Sequence, residues 1–225
     1  MGGIHWLSLE FGPAGSEIQR ARKLNPNFRI AHELNGAYLR TVGRYGEALD
    51  EIHRSLELDP LSAVSNYMEG DIFFSQRDYR GAIAQEEKTL EIDPNFALAY
   101  SVLRDCYDAQ GMYDNAVNAY ERLFTLNGTP EVAEELKQVY ESSGIRGARE
   151  WWIQQRSDRA GRRYSPYTVA INYLGLGDKD KTFLWLEKAY EHRDIGFIGF
   201  KDPVFDSVRS DPRYIDLLRR ISSPQ

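Results

Sequence analysis

Three short stretches decide the architecture of this chain, each with an Asn-Pro or Asp-Pro pair behind an aliphatic residue: KLNPNF at 23–28, ELDPLS at 57–62 and EIDPNF at 91–96. Their prolines, Pro26, Pro60 and Pro94, follow one another at intervals of 34 residues. The next position in the series is Gly128, which ends a helix by another route. A proline forces the preceding residue out of the helical region, so each stretch separates two helices. The spacing predicts a repeated unit of 34 residues.

Other residue types recur in the same register. Each unit is numbered so that its closing proline is position 32. Position 8 is Gly36 and Gly70, with Arg104 as a departure, and position 11 is a large apolar residue, namely Leu39, Phe73 and Tyr107. Position 17 is Tyr45, Tyr79 and Tyr113, and position 20 is Ala48, Ala82 and Ala116. Between these marks apolar residues recur at i, i+3, i+4 and i+7, which is typical of amphipathic helices. Small residues let the two helices of a unit approach closely. The register therefore predicts a stack of helix pairs.

The repeat signal weakens after residue 130. Residues 130–160 are expected to form two helices broken at Ser143-Gly144, and Ser165-Pro166 supplies an N-cap and a first-turn proline for a further pair. We therefore predict an array of about six helix pairs over residues 1–194, of which the fifth is degenerate.

The last residues differ from the array in composition. Residues 197–221 are dense in apolar side chains and contain two Asp-Pro helix starts. A solenoid needs a cap because its terminal repeat otherwise leaves an apolar stacking face in water. We expect residues 195–225 to be a C-terminal helical capping segment.

Charge is distributed unevenly along the chain. Residues 30–143 contain 9 Lys and Arg against 21 Asp and Glu, a net charge of −12, so no nucleic-acid surface is expected on this body. Residues 144–163 contain six Arg against two acidic residues, a net charge of +4. This Arg-rich stretch is the one candidate for an anion contact, and a solvated helix face is the simpler interpretation.

The remaining composition narrows the function classes further. No window contains the eighteen or so apolar residues of a membrane helix, and the N-terminus has no basic region before an apolar run. Cys106 is the single cysteine, so no internal disulfide is possible, and a cytoplasmic location is expected. The four His are scattered, which predicts no metal site. No glycine-rich nucleotide loop or nucleophile with a base is found, so we predict no cofactor and no enzyme activity.

The chain resembles tetratricopeptide-repeat (TPR) proteins, and in particular the C-terminal TPR region of bacterial multidomain signalling regulators. The resemblance is carried by AGSEIQRARKLNPNF, RYGEALDEIHRSLELDPLS, DYRGAIAQEEKTLEIDPNFALAY and GMYDNA, and by the ending KDPVFDSVRSDPRYIDLLRRI. It implies an all-α solenoid of helix-turn-helix units wound as a right-handed superhelix. Those regulators carry the repeats behind a winged-helix, cyclase or Ser/Thr-kinase domain, so the chain is expected to be such a module standing alone or cut from a longer protein.

The resemblance also implies where a partner binds. In TPR superhelices the first helix of each pair lines a concave groove, chiefly through positions 2, 5, 9, 12 and 13. The candidate partner-binding residues at these positions are Glu33, Arg40, Tyr67, Asp71, Phe74, Ser101, Asp105 and Asp108. An acidic groove with aromatic residues predicts a protein or peptide partner that is basic and partly apolar.

Two function classes stay open at this point. One is a non-enzymatic scaffold for protein–protein interaction, and the other is an accessory regulatory module of a transcription regulator or signalling enzyme whose effector domain is absent from the chain. Two structural alternatives for the groove also remain. Tyr67 and Phe74 can pack between helices, or the groove can be filled by a neighbouring domain or by the chain's own terminus.

Overall fold

The computed structural model describes residues 24–158 and 165–222, and the regular structure in these ranges is helical throughout. They contain ten α-helices: α1 (Arg29–Val42), α2 (Tyr45–Leu58), α3 (Ala63–Ser75), α4 (Tyr79–Ile92), α5 (Ala97–Ala109), α6 (Tyr113–Leu126), α7 (Pro130–Asp158), α8 (Pro166–Gly175), α9 (Lys179–Glu191) and α10 (Pro212–Ser222). Two 3-10 helices, Ile195–Gly199 and Pro203–Val208, connect α9 to α10. The predicted all-α class is confirmed.

Successive helices form antiparallel pairs that stack on one another. The pairs are α1–α2, α3–α4, α5–α6 and α8–α9, and the first helices α1, α3 and α5 also contact their neighbours directly. These three helices therefore line one continuous face of the solenoid, here called the inner face. The packing confirms the predicted solenoid of repeated helix pairs. The incomplete unit that the sequence predicts within residues 1–23 lies outside the described residues.

The corner between repeats has the same construction each time. Oδ1 of Asn25, Asp59 and Asp93 accepts a hydrogen bond from the backbone N–H two residues later, at 3.1, 3.3 and 3.0 Å. Such an Asx turn holds the backbone of the following proline and its neighbour in a tight bend. The Asn-Pro or Asp-Pro pair thus supplies both the helix stop and the turn.

Position 4 of the repeat closes this corner although its residue type changes. His32 Nε2, Asn66 Nδ2 and Tyr100 Oη each bind the carbonyl oxygen of the proline six residues earlier, at 2.8, 3.2 and 3.1 Å. All three side chains can present a hydrogen-bond donor, and the corner carbonyl has no helical partner. The three units therefore share a side-chain hydrogen-bond donor at position 4, although the residue type differs.

Close approach of the paired helices explains the glycines at position 8. A Cβ on Gly36 would lie 2.6 Å from Ile52 Cδ1, and one on Gly70 would lie 2.4 Å from Glu86 Oε1. The third unit has Arg104 at this position, and its guanidinium lies 5.0 Å from the ring centroid of Tyr120. The residue that approaches position 8 from the second helix is at position 24 of each unit. It is the aliphatic Ile52, the acidic Glu86 and the aromatic Tyr120 in the three units.

Helix α7 is broken near its middle, as the sequence predicts for Ser143-Gly144. Gly144 has φ 64° and ψ −169°, a conformation that glycine adopts without steric cost. The half after the break carries Arg149, which pairs with Asp108, and Arg146, which pairs with Glu150. Of the other four arginines of the Arg-rich stretch, those at 159, 162 and 163 lie outside the described residues, and the structure describes only the backbone at position 156.

The C-terminal residues pack against the last helix pair. Phe200, Phe205 and Leu217 are buried in one cluster with Leu186 of α9 and Ala170 of α8. Phe200 is central to it, with ring centroids 4.8 Å from Phe205. These contacts confirm the predicted C-terminal cap, while the division at residues 194 and 195 stays a prediction.

Candidate functional site: the inner face

An ion-pair cluster joins the C-terminal segment to the inner face. Arg40 Nη2 on α1 donates to Asp71 Oδ1 on α3 at 2.8 Å and to Asp202 Oδ2 at 3.1 Å. Ser75 Oγ donates to Asp202 Oδ1 at 3.2 Å. Asp202 lies between the two 3-10 helices, 162 residues from Arg40 in the chain. The terminus therefore folds back onto the first helix pair.

Two carboxylates share one guanidinium in this cluster, and all three groups are largely buried. Burial raises the pKa of Asp202 to about 6 against the opposing effect of Arg40, and the nearby Asp71 raises it further. Burial likewise raises the pKa of Asp71. Removing charges from water is costly unless each is paired, so the shared Arg40 is the condition for keeping both carboxylates here.

Two further contacts attach the same segment to the inner face, and a third is internal to the segment. Arg77 donates to both carboxylate oxygens of Asp206, at 2.6 and 2.5 Å. Lys201 Nζ donates to the carbonyl oxygen of Val42 at the end of α1, at 3.4 Å. Arg209 donates to the backbone carbonyl of Asp202 at 3.1 Å. Together these contacts cover the C-terminal turns of α1 and α3, a region called here the closed half of the inner face.

Arg77 has an unusual backbone for an arginine. Its φ is 69°, and the equivalent positions in the neighbouring units are Gly43 and Gly111, with φ 86° and 71°. A residue with a Cβ adopts this left-handed region at a cost of roughly 1–2 kcal/mol. The position is therefore strained in this one repeat, and its side chain binds the C-terminal segment.

The predicted residues on α5 are also ion-paired. Asp105 accepts from Arg104 Nε at 2.8 Å, and Asp108 accepts from Arg149 Nη2 at 2.6 and 2.7 Å. The acidic residues predicted for the groove are thus matched by arginines from the chain itself. Their carboxylates retain partial exposure, so their charge is offset without being fully enclosed.

Glu33 and Phe74 lie in the interior, in contrast to the open lining that the sequence predicts. Glu33 is 7% exposed and accepts hydrogen bonds from Ser62 and Ser65 at 3.2 and 2.6 Å. Phe74 is 4% exposed and packs in a cluster with Cys106. Phe74 therefore packs between helices, as the packing alternative for Tyr67 and Phe74 describes, and the binding role of the predicted residues stays a prediction.

The N-terminal turns of the first helices form the other part of the inner face, called here the open half. Tyr67 is half-buried there, with its ring 5.5 Å from that of Phe96. Ser101 is half-buried, and its hydroxyl is 3.5 Å from the Ala97 carbonyl oxygen. Position 2 of each unit is exposed and aliphatic, with Ile30, Val64 and Leu98 at 44%, 42% and 52% exposure. We call these three residues the aliphatic ladder.

Sequence reasoning missed two features of this face. Asp202 is predicted only as a helix start, because no local pattern indicates a partner so far away in the chain. Arg77 and Arg104 did carry a signal, since each replaces a glycine in the repeat register. Arg77 binds Asp206 of the C-terminal segment, and Arg104 lines a cavity that this segment also borders.

Two absences apply to the described ranges only. Residues 24–158 and 165–222 contain no group of three His, Cys, Asp or Glu side chains able to hold a metal ion. Within the same ranges, the helices are too short or too polar to cross a bilayer.

Cys106 is fully buried. Burial raises the pKa of its thiol, and the nearby Asp105 carboxylate raises it further.

Comparisons with known proteins concern both the repeat and the fold. Solved structures similar to this chain include two entitled "Crystal structure of MamA" and "Crystal structure of MamA protein", at 20% and 19% sequence identity and TM-scores of 0.43 and 0.45. The matches cover 78% and 84% of this chain, and 84% and 88% of those chains. No protein of curated function matches significantly. The family model described as "Tetratricopeptide repeat" matches residues 99–130, which span the α5–α6 unit whose marks recur in the two preceding units.

Proposed function

We propose that this chain is a protein-interaction scaffold that binds a protein or peptide segment along the open half of its inner face. The observation that carries the proposal is the aliphatic ladder. Ile30, Val64 and Leu98 are exposed to nearly the same extent at the same position of three successive repeats. Single exposed aliphatic residues are ordinary, but an aligned series is typical of a docking surface.

The ladder sets the spacing expected in the partner. Packed helices lie about 8–10 Å apart, so neighbouring ladder residues are separated by about that distance. This distance corresponds to about three residues of extended chain or about seven residues of helix. We therefore expect a partner segment with apolar residues at one of these intervals.

Charge favours basic residues beside those apolar positions. Ion pairs offset Asp71 in the closed half and Asp105 and Asp108 on α5, yet residues 30–143 have a net charge of −12 from 9 basic and 21 acidic residues. Such a body attracts a basic segment over a distance of about one Debye length, roughly 8 Å at physiological salt. Tyr67 and Ser101 are the half-buried residues among those predicted for binding that lie nearest the aliphatic ladder. They occupy position 5 of the repeat, and the ladder occupies position 2.

The proposal includes a non-enzymatic role and a cytoplasmic location, the latter supported by the single cysteine. The alternative is an accessory regulatory module of a transcription regulator or signalling enzyme. The C-terminal segment favours this alternative. Because the segment covers the closed half of the inner face, its release would expose that half and its return would hide it again. Both roles use the same open half.

The proposal is tested by selecting peptides from a random display library on the full chain. We expect enriched sequences with apolar residues about three or seven apart and flanking Lys or Arg. Changing Ile30, Val64 and Leu98 together to Ser should weaken the selected peptides by about 10- to 100-fold, the effect of about 1–3 kcal/mol at a binding hot spot.

A matched control has three other exposed apolar residues changed to Ser, namely Met112, Leu184 and Ile215. This control should bind the selected peptides as the parent does. Equal binding by the ladder variant and the control, or enrichment of acidic peptides, would contradict the proposal.

A further inference from the structure

A cavity of about 470 Å³ lies beside the closed half. Its walls come from α3, α4, α5 and α6 on one side, from α7 and α8 on the other, and from the second 3-10 helix. Small-molecule sites typically enclose roughly 300–1000 Å³, so the space is large enough for a ligand. The C-terminal segment completes the site, since Pro203 and Val204 form part of the wall.

Five of the residues that line the cavity are aromatic. They come from five different helices: Phe74, Tyr79, Tyr120, Trp152 and Tyr167. The faces of such rings carry negative charge density and attract cations within about 6 Å of the ring centroid. Arg104 already uses the Tyr120 ring in this way, at 5.0 Å.

The charged groups of the lining differ in how far they are exposed. The side chains of Asp105 and Asp108 are 42% and 36% exposed, whereas those of Arg104 and Arg149 are 24% and 15% exposed. Arg149 donates to both oxygens of Asp108 and to the carbonyl oxygen of Gly175. The cations thus donate to groups of the wall, and the carboxylates are left as the more accessible charges.

The charged side chains of the lining are three carboxylates and two guanidinium groups, so acidic groups are in excess. Burial raises the pKa of Asp105 against the opposing effect of Arg104, and the carboxylates of Asp108 and Asp202 raise it further. Asp206 adds a third carboxylate to the lining, although it is held by Arg77. A ligand that brings positive charge would relieve the repulsion among these carboxylates.

From these observations we infer that the cavity is a binding site for an alkylammonium group, in which Asp105 and Asp108 receive the cation and the aromatic rings enclose its alkyl chain. An anion would meet the exposed carboxylates first. A neutral apolar ligand would remove water from those carboxylates without replacing its hydrogen bonds. A primary ammonium donates three hydrogen bonds and gains from the ring faces as well. The shared chemistry is that of a lysine side chain and of a free aliphatic diamine.

Isothermal titration calorimetry on the full chain at low ionic strength tests this inference with three probes of similar length: cadaverine, n-pentanol and pentanoate. Cadaverine is expected to bind at least about tenfold more tightly than the neutral and anionic probes, because only it matches the carboxylates. N-acetyl-lysine methylamide in a parallel titration distinguishes the two sources. Tighter binding by this derivative points to a lysine side chain, and tighter binding by cadaverine points to a free amine.

Variants place the binding in the cavity. Asp105→Asn and Asp108→Asn should each weaken cadaverine by about tenfold, whereas Asp50→Asn, an exposed carboxylate on α2, should leave its affinity unchanged. Ile171→Trp adds bulk to the lining and should abolish binding while the melting temperature is retained. If that variant does not fold, Val204→Trp on the opposite wall replaces it.

Three results would each overturn the inference. They are the absence of heat with cadaverine at about 10 mM, well above typical ligand affinities, equal affinity for n-pentanol or pentanoate, and unchanged cadaverine affinity in a folded cavity-filling variant.

Discussion

The open half and the closed half of the inner face share the helices α1 and α3 but differ in what covers them. In the open half, the aliphatic ladder of Ile30, Val64 and Leu98 faces solvent. In the closed half, Arg40 and Ser75 bind Asp202 of the C-terminal segment. The repeat therefore specifies the helices, while the residues that depart from it specify which part of the face is covered.

The difference also shows what kind of contact holds each half. The helices of the open half are held by contacts with helices of the same repeat and of the next repeat. The closed half depends on pairs 127 to 162 residues apart in sequence, such as Ser75 with Asp202 and Arg40 with Asp202. Long-range contacts form only after loop closure, so we expect the closed half to be the more readily disrupted part of the fold.

The largest expected effect comes from the aromatic core of the C-terminal segment. Phe205 is fully buried, with rings of Phe200 and Tyr214 at 4.8 and 5.8 Å. Phe205→Ala should destabilise the segment by about 3–5 kcal/mol, the usual cost of removing a buried phenylalanine. Limited proteolysis should then cut residues 195–211 while α1–α6 remain resistant. Ile215→Ala, at an exposed site on α10, is the control. Equal protease resistance in the two variants would show that the closed half does not depend on this core.

A smaller effect is expected from the shared guanidinium. Arg40→Met leaves Asp71 and Asp202 largely buried without their cation, and should lower the free energy of unfolding by about 3 kcal/mol, at the lower end for broken buried pairs. Adding Asp202→Asn should restore part of this loss, because one of the two unpaired charges is removed. Urea unfolding measures both variants. The exposed pair of Arg44 and Glu47 provides the control, and Arg44→Met should leave the midpoint unchanged. A stable single variant would mean that the cluster contributes nothing to closure.

The third expected effect concerns pH and a carboxyl group behind the closed half. Glu86 is fully buried, and burial, reinforced by Asp71, raises its pKa to about 10. The folded chain therefore holds this proton more tightly than the unfolded chain, whose glutamate has a pKa near 4.5. For such a group the stabilisation is present at low pH and is lost as pH rises between these two values.

The corresponding measurement is urea unfolding at pH 6 and pH 8. The parent should lose about 2.7 kcal/mol over this window through Glu86, since one group titrating between its two pKa values contributes about 1.4 kcal/mol per pH unit. Glu86→Gln removes the ionisation and should abolish that share of the loss. Glu87→Gln, at the neighbouring exposed position, should follow the parent. Identical pH dependence in the parent and Glu86→Gln would place the charge of Glu86 in contact with water.

Much of the fold could be predicted from local patterns. The prolines at 34-residue intervals, the glycines at position 8 and the break at Gly144 each have a short-range physical cause that the structure confirms. The cap was predictable as well, since the apolar residues of 197–221 must be buried against something. The binding residues were harder, because a position in the repeat does not say what else covers it. Glu33 and Phe74 are the examples, both interior despite their groove positions.

The sequence by itself determined the helix pairs, their register and the excess of acidic residues, because these follow from the periodicity and types of nearby residues. Only the tertiary structure decided that Arg40 binds Asp202 and that Arg149 binds Asp108. It also decided that the unlike residues His32, Asn66 and Tyr100 make one equivalent hydrogen bond. The physical reason is that a charge or a donor is satisfied by whichever partner the folded chain brings within about 3 Å, and nothing in the local sequence encodes that partner's position.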